Sequence, residues 1–144
     1  MSVPGKRKIR RVVIDTNVFV SSFFGGHPRR VIDMWKEGRI RLCLSGAIVE
    51  EYVAVLGRLG LADEEELREL TALFAREHHL LFAADTLRLD IVKEDPSDNK
   101  FFECAVDLQA NYIISGDHSI LKVKDYMGIK TVGPKEFMSE LRGE

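Results

Sequence analysis

An α/β fold, with a parallel sheet covered by helices on both faces, is what this 144-residue sequence predicts, and three observations carry that expectation. Short apolar runs such as Val12–Ile14, Tyr112–Ile114 and Ile129–Val132 read as buried strands. Between them lie stretches whose apolar residues recur at helical spacing and are bounded by Ser, Asp, Pro and Gly. Two strand candidates lead into an aspartate, Asp15 and Asp117, at the strand ends where ligands of parallel sheets bind.

The elements follow in order. Arg11–Ile14 is the first strand, and Asp15-Thr16-Asn17 begins the loop after it. Pro28 stands where a first helical position is expected; Val31, Ile32 and Trp35 recur at helical spacing, and Gly38 ends the segment. Arg41–Leu44 is a second strand, and Ser45 caps a helix running to about Leu59. Asp63 to Glu66 has capping-box spacing and opens a helix to about His78, with Leu67, Leu70, Leu73 and Phe74 on one stripe. After Pro96, Ser97 or Asp98 starts a helix through about Leu108, and Tyr112–Ser115 is the next strand. A strand at Ile129–Val132 and a helix from Pro134 to Leu141 complete the alternation.

With 45% hydrophobic and 31% charged residues, composition is that of an ordinary globular protein. The length suits one domain over residues 1–144, with a core that needs no disulfides. Cys43 and Cys104 both lie in apolar segments and read as buried free thiols in a reduced, cytoplasmic compartment. The basic N-terminal tail, residues 1–10, precedes an apolar stretch that Asp15 and Asn17 interrupt, too short for a signal peptide or a membrane span. A net charge of −2 excludes a globally basic nucleic-acid binder, so any RNA-binding face is local. Lys6 to Arg11, Arg29-Arg30, Lys36, Arg39 and Arg41 gather the positive charge; they read first as a solvated tail and helix faces, second as phosphate contacts.

Helix geometry, at about 100° per residue, sorts the acids. Ile48, Tyr52, Val55, Leu56 and Leu59 form one stripe; Glu50 lies nearly opposite it, and Glu51 about 90° away, at its flank. In the later helix the stripe is Phe101, Cys104, Ala105 and Leu108, with Asp98 about 60° from its centre and Glu103 and Asp107 pointing away. Singly, Asp15, Asp98 and Asp117 read as helix caps and Glu51 as a solvated residue. Gathered at one end of a sheet, they would repel one another and raise each other's pKa unless a cation lay between them. Oxygen donors alone, with no His/Cys set at zinc spacing, suit Mg2+ or Mn2+. One ion would activate water for phosphodiester hydrolysis, and a second, if present, would stabilise the leaving oxygen.

Four segments, Val12–Val20, Ile48-Val49-Glu50-Glu51-Tyr52, Asp95-Pro96-Ser97-Asp98-Asn99-Lys100 and Ile114-Ser115-Gly116-Asp117, together resemble a PIN domain from about Arg11 to the last helix. More narrowly, the chain is similar to the bacterial and archaeal group of toxin components of toxin-antitoxin systems. The resemblance implies a doubly wound, Rossmann-like α/β/α sandwich with a central parallel sheet, and a Mg2+- or Mn2+-dependent endoribonuclease of single-stranded RNA. It further implies homodimerisation and inhibition by an antitoxin. Asp15, Glu51, Asp98 and Asp117 match the family's acidic positions; Asn17 matches a residue that orients the first acid, and Ser115 a hydroxyl near the fourth. Glu50 beside Glu51, and Asp95 three residues before Asp98, leave a choice that the helix angles settle for Glu51 and Asp98.

Other classes fit less well. Phosphoaspartyl hydrolases need a second Asp two residues after the first, where Asn17 stands, and no Gly-rich phosphate loop is present. A response-regulator receiver wants its acceptor Asp at the third strand. The non-enzymatic alternative is a catalytically silent PIN-like module that binds RNA or protein; the complete set of four acids argues against it. Apolar residues near Trp35 and from Leu67 to Phe74 are candidate dimer surfaces, with core packing the first reading.

Overall fold

A computed structural model describes residues 8–143, so Lys6 and Arg7 of the expected basic tail lie outside the described residues. The strands are β1 (Arg10–Ile14), β2 (Ile40–Ser45), β3 (Leu80–Ala83), β4 (Tyr112–Ile114), β5 (Asp125–Tyr126) and β6 (Ile129–Val132). The helices are α1 (Thr16–Ser21), α2 (Gly26–Lys36), α3 (Gly46–Arg58), α4 (Glu65–Ala75), α5 (Asn99–Asp107), α6 (His118–Leu121) and α7 (Pro134–Arg142). One sheet in the order β3-β2-β1-β4-β6-β5 joins them, parallel except for the β5/β6 pair. From β1 the chain crosses to β2 and β3 on one side and later returns to β4 on the other. Right-handed crossovers therefore put α1–α4 on one face and α5 on the opposite face, the expected α/β/α sandwich.

The core shows both faces of the sheet covered. Val12, Val13 and Ile14 are all fully buried, which explains why these strands carry no alternation of polar residues. On the α1–α4 face the Phe19 ring stacks on Tyr52 with centroids 4.0 Å apart, and Phe74 joins Trp35 at 5.5 Å. Trp35, Leu70 and Leu73 are buried there, so the segments weighed as dimer surfaces are core. On the same face α7 packs beside α2, and its Phe137 meets Tyr112 of β4 edge-on at 5.1 Å, while Phe101, Phe102 and Cys104 of α5 are buried against the other face. Cys43 of β2 and Cys104 of α5 are fully buried and free, as their apolar neighbours in sequence suggest.

Several elements depart from expectation, each for a local reason. The residues after Asp15, expected as a loop, form α1, because the Asp15 carboxylate accepts the Val18 N–H at 2.9 Å and caps the turn. Helix α2 begins at Gly26, so Pro28 is its third residue; its missing N–H falls in the first turn, where no intrahelical partner exists. The expected capping box before α4 is absent: Glu64 flanks the helix and makes no side-chain cap. That helix stops at Ala75 instead of His78, since Glu77 and His79 take left-handed φ values of 54° and 44°. His78 instead accepts the Trp35 indole N–H on its carbonyl at 2.9 Å, and its ring bonds the Lys36 carbonyl at 2.7 Å. Leu59, placed on the α3 stripe, is 56% exposed because the helix has already ended at Arg58. Strand β3, helix α6 and the β5 hairpin partner were not foreseen.

Twelve residues, 84–95, connect β3 to the 3-10 turn at Pro96–Asp98. Asn99 and Glu103 hold this segment: the Asn99 side-chain oxygen accepts the N–H groups of Ile91 and Val92 at 2.9 and 2.7 Å, and Glu103 accepts that of Leu89 at 2.9 Å. Spaced four apart on α5, the two side chains meet the same strip of backbone.

Candidate metal centre

The cleft lies where the crossover direction reverses, at the carboxyl ends of β1 and β4. Ile14, Ile114 and Val132 are in register across β1, β4 and β6. The ladder continues one step further, with the Asp15 N–H bonding the Ile114 carbonyl at 3.0 Å and the Ser115 N–H bonding Val132 at 2.9 Å. This register sets Ser115 beside Asp15, and the Ser115 hydroxyl donates to Asp15 Oδ2. The same hydroxyl accepts the Asp117 N–H at 2.9 Å, so one buried serine positions two acids.

Glu51 arrives from α3. Ser45 caps that helix by accepting the Ile48 N–H at 3.3 Å, and the buried Tyr52 hydroxyl donates to the Ile14 carbonyl. With Tyr52 fixed to the end of β1, Glu51 is carried to the cleft and Glu50 stays in solvent. Thr16 donates its hydroxyl to Glu51 Oε2, and the Lys100 ammonium lies 2.7 Å from Glu51 Oε1.

A cleft of about 200 Å3 is lined by Asp15, Thr16, Asn17, Glu51, Val55, Asp95, Ser97, Asp98, Phe101 and Asp117. All four acids singled out in the sequence meet there, with Asp95 as a fifth. One oxygen each from Asp95, Asp98 and Asp117 lie within 4.8 Å of one another. Asp117 caps α6 by accepting the Ser119 N–H at 2.9 Å, and Asp95 accepts the Ser97 hydroxyl at 2.6 Å. Asp98 is buried, and its Oδ2 receives no hydrogen bond.

Electrostatics follow from burial and crowding. Burial raises the Asp15 carboxyl to about 6 despite the Ser115 and Val18 hydrogen bonds, with the charges of Asp117 and Glu51 adding to the rise. Asp98 is pushed to about 7, by burial first, then by a hydrogen bond to Asp117 that only the protonated acid can donate, and by the charges of Asp95, Asp117 and Asp15. Like charges this close favour either a shared proton or a cation. The donor set fits a divalent cation: oxygens only, clustered, and including one buried oxygen without a donor.

Asn17 sits on the cleft wall, exposed, and makes no hydrogen bond to Asp15; the Val18 amide and Ser115 hydroxyl occupy the Asp15 carboxylate instead. Thr16 and Lys100 were missed as site residues. The angular test applied to acids would have found Lys100, which lies about 90° from the centre of the α5 stripe. Much of the basic first half is tied up in internal bonds: Arg11 donates to the Leu108 carbonyl at 3.0 Å, Arg29 to that of Ser22 at 2.7 Å, and Lys36 pairs with Glu66 and Glu69. Among the described residues no helix is long and apolar enough to cross a membrane.

Residues 11–119 match the family model of the PIN domain. An uncharacterized protein of Methanocaldococcus jannaschii is 28% identical, with 90% of each chain covered.

Proposed function

The chain belongs to the PIN domain family, and from that premise we propose that it is an endoribonuclease that cuts single-stranded RNA with Mg2+ or Mn2+. The family is generally one of nucleases that use divalent metals, and the acidic cleft fits such an ion. The single observation that carries the proposal is the meeting of Asp15, Glu51, Asp98 and Asp117 in one cleft, with Asp98 Oδ2 buried and lacking a donor. In this reading those acids, with Asp95, form the site that takes the metal. When bound, the ion supplies a lowered pKa for an attacking water and neutralises charge on the scissile phosphate.

The protein's own part is positioning. Ser115 and the Val18 amide fix Asp15, Thr16 and Lys100 fix Glu51, and the cap of α6 fixes Asp117. Asn17, free of Asp15 and facing the cleft, is placed to meet substrate or a water. The finer proposal is that the chain is the toxin of a toxin-antitoxin pair, acts in the cytoplasm and forms a homodimer. A neighbouring gene for a small DNA-binding protein, and a dimeric mass in sedimentation, would support it.

The test is cleavage of end-labelled single-stranded RNA with Mn2+, Mg2+ or EDTA, comparing wild type with Asp98→Asn. Metal-dependent cutting that falls at least a hundredfold in the variant is expected. Wild-type protein that neither cuts varied RNAs nor binds Mn2+ in calorimetry would leave a binding module.

A further inference from the structure

The two halves of the cleft are balanced by different means. Glu51 has both oxygens engaged, Oε2 by the Thr16 hydroxyl and Oε1 by the Lys100 ammonium at 2.7 Å. Lys100 and Glu51 are largely enclosed, at 18% and 28% side-chain exposure, so solvent screens this pair less than a surface one. Asp95, Asp98 and Asp117 differ: none of the ion pairs among the described residues reaches them. Their clustered oxygens include Asp98 Oδ2, on a side chain more than nine-tenths buried and without a hydrogen-bond partner. Of the acids lining the cleft, Glu51 is thus the one with a cationic partner among the described residues; Asp95, Asp98 and Asp117, with Asp15 beside them, have none.

We infer that Lys100 is the resident cation of the Glu51 half, so that the cleft takes one divalent ion, at Asp95, Asp98 and Asp117, where a second would otherwise fit beside Glu51. The inference rests on the reading of this cleft as a metal site and adds its stoichiometry and the residue that sets it. The physical reason is exclusion by like charge. A dication at Glu51 Oε1 would stand next to an ammonium already in contact with that oxygen, in a site partly withdrawn from water. Lys100 is anchored for this task at the start of α5, one residue after Asn99, whose side chain is bonded to two backbone amides.

The test counts Mn2+ bound to the full chain, by calorimetry and by the electron paramagnetic resonance signal of the remaining free ion. Wild type should bind one Mn2+ per chain. Lys100→Met, which frees Glu51, should bind two, and its metal-free melting temperature should fall and recover with Mn2+. Lys100→Arg keeps the charge and should bind one. So should Thr16→Val, which removes the other contact to Glu51. Two ions in wild type, one in folded Lys100→Met, or two in Thr16→Val would each overturn the inference while leaving a metal site. If Lys100→Met does not fold by circular dichroism, Lys100→Gln takes its place under the same criteria. No Mn2+ bound to folded wild type would overturn the metal-site reading itself.

Discussion

At the scale of single residues, burial and three neighbouring acids all press Asp98 toward its protonated form, near pH 7. An amide in its place would carry no charge and could donate to Asp117. Asp98→Asn should therefore raise the metal-free melting temperature by a few degrees, corresponding to roughly 1 kcal/mol, even as it removes cleavage. Thermal unfolding in EDTA checks this, and an unchanged or lower midpoint would show that Asp98 is not strained by its neighbours. The choice of Asp98 and Glu51 as cleft acids was legible because a helix repeats every 3.6 residues, and angular position survives in the sequence. Thr16 and Lys100 were not legible. Their partner, Glu51, is 35 and 49 residues away, and only the folded sheet edge brings them together. Asn17 shows the opposite failure, a motif position read as a support for Asp15 that the Val18 amide and Ser115 provide instead.

Among the elements, the segment 84–95 depends most on a single side chain. Asn99 satisfies two of its backbone amides from inside the fold, where water cannot replace it. Asn99→Ala should cost about 2–6 kcal/mol, the sum of two unsatisfied amides. It should also speed tryptic cutting at Arg88 and Lys93, both exposed in that segment, relative to sites elsewhere. Limited proteolysis read by mass spectrometry decides; equal cutting in variant and wild type would mean the segment is held by other contacts. The strands with long apolar neighbours and the helices with complete stripes could be read directly. Strand β3 could not, since Leu80–Ala83 follows His78-His79 without a turn signal, and its strand character comes from pairing with Leu42–Ser45. Helix α1 is hidden in the sequence because Val18 and Val20 favour strands, although Asp15, which read singly is a helix cap, does cap it.

For the whole molecule, the raised acids set a pH dependence. Asp15 and Asp98 titrate near 6 and 7 in the folded protein and near 4 when unfolded, so between about pH 4 and 7 the folded state binds more protons. Stability of the metal-free protein should therefore fall as pH rises through that window, by on the order of 3 kcal/mol from Asp15 alone. Below about pH 4 both states are protonated and this contribution is constant. Millimolar Mg2+ or Mn2+ at pH 7 should restore the loss, because the ion binds only the folded arrangement. Urea melts across pH, with and without metal, measure both effects. A metal-free stability that rises from pH 5 to 7 would contradict the balance described. The topology behind this site was legible as an alternation of strands and helices with acids at two strand ends, and the reversal of crossover direction at β1 and β4 turned that alternation into one cleft.

The two thiols have a use unconnected with the cleft. Cys43 in the central part of the sheet and Cys104 on the helix covering it are wholly enclosed; burial pushes the first up to about 12 and the second higher still. Neither can react with a thiol reagent while the sheet and α5 remain together, because the reactive thiolate is both suppressed and out of reach. Their modification rates therefore time the rare separations of helix and sheet, and a chain with no other cysteine can report its own opening without an added label.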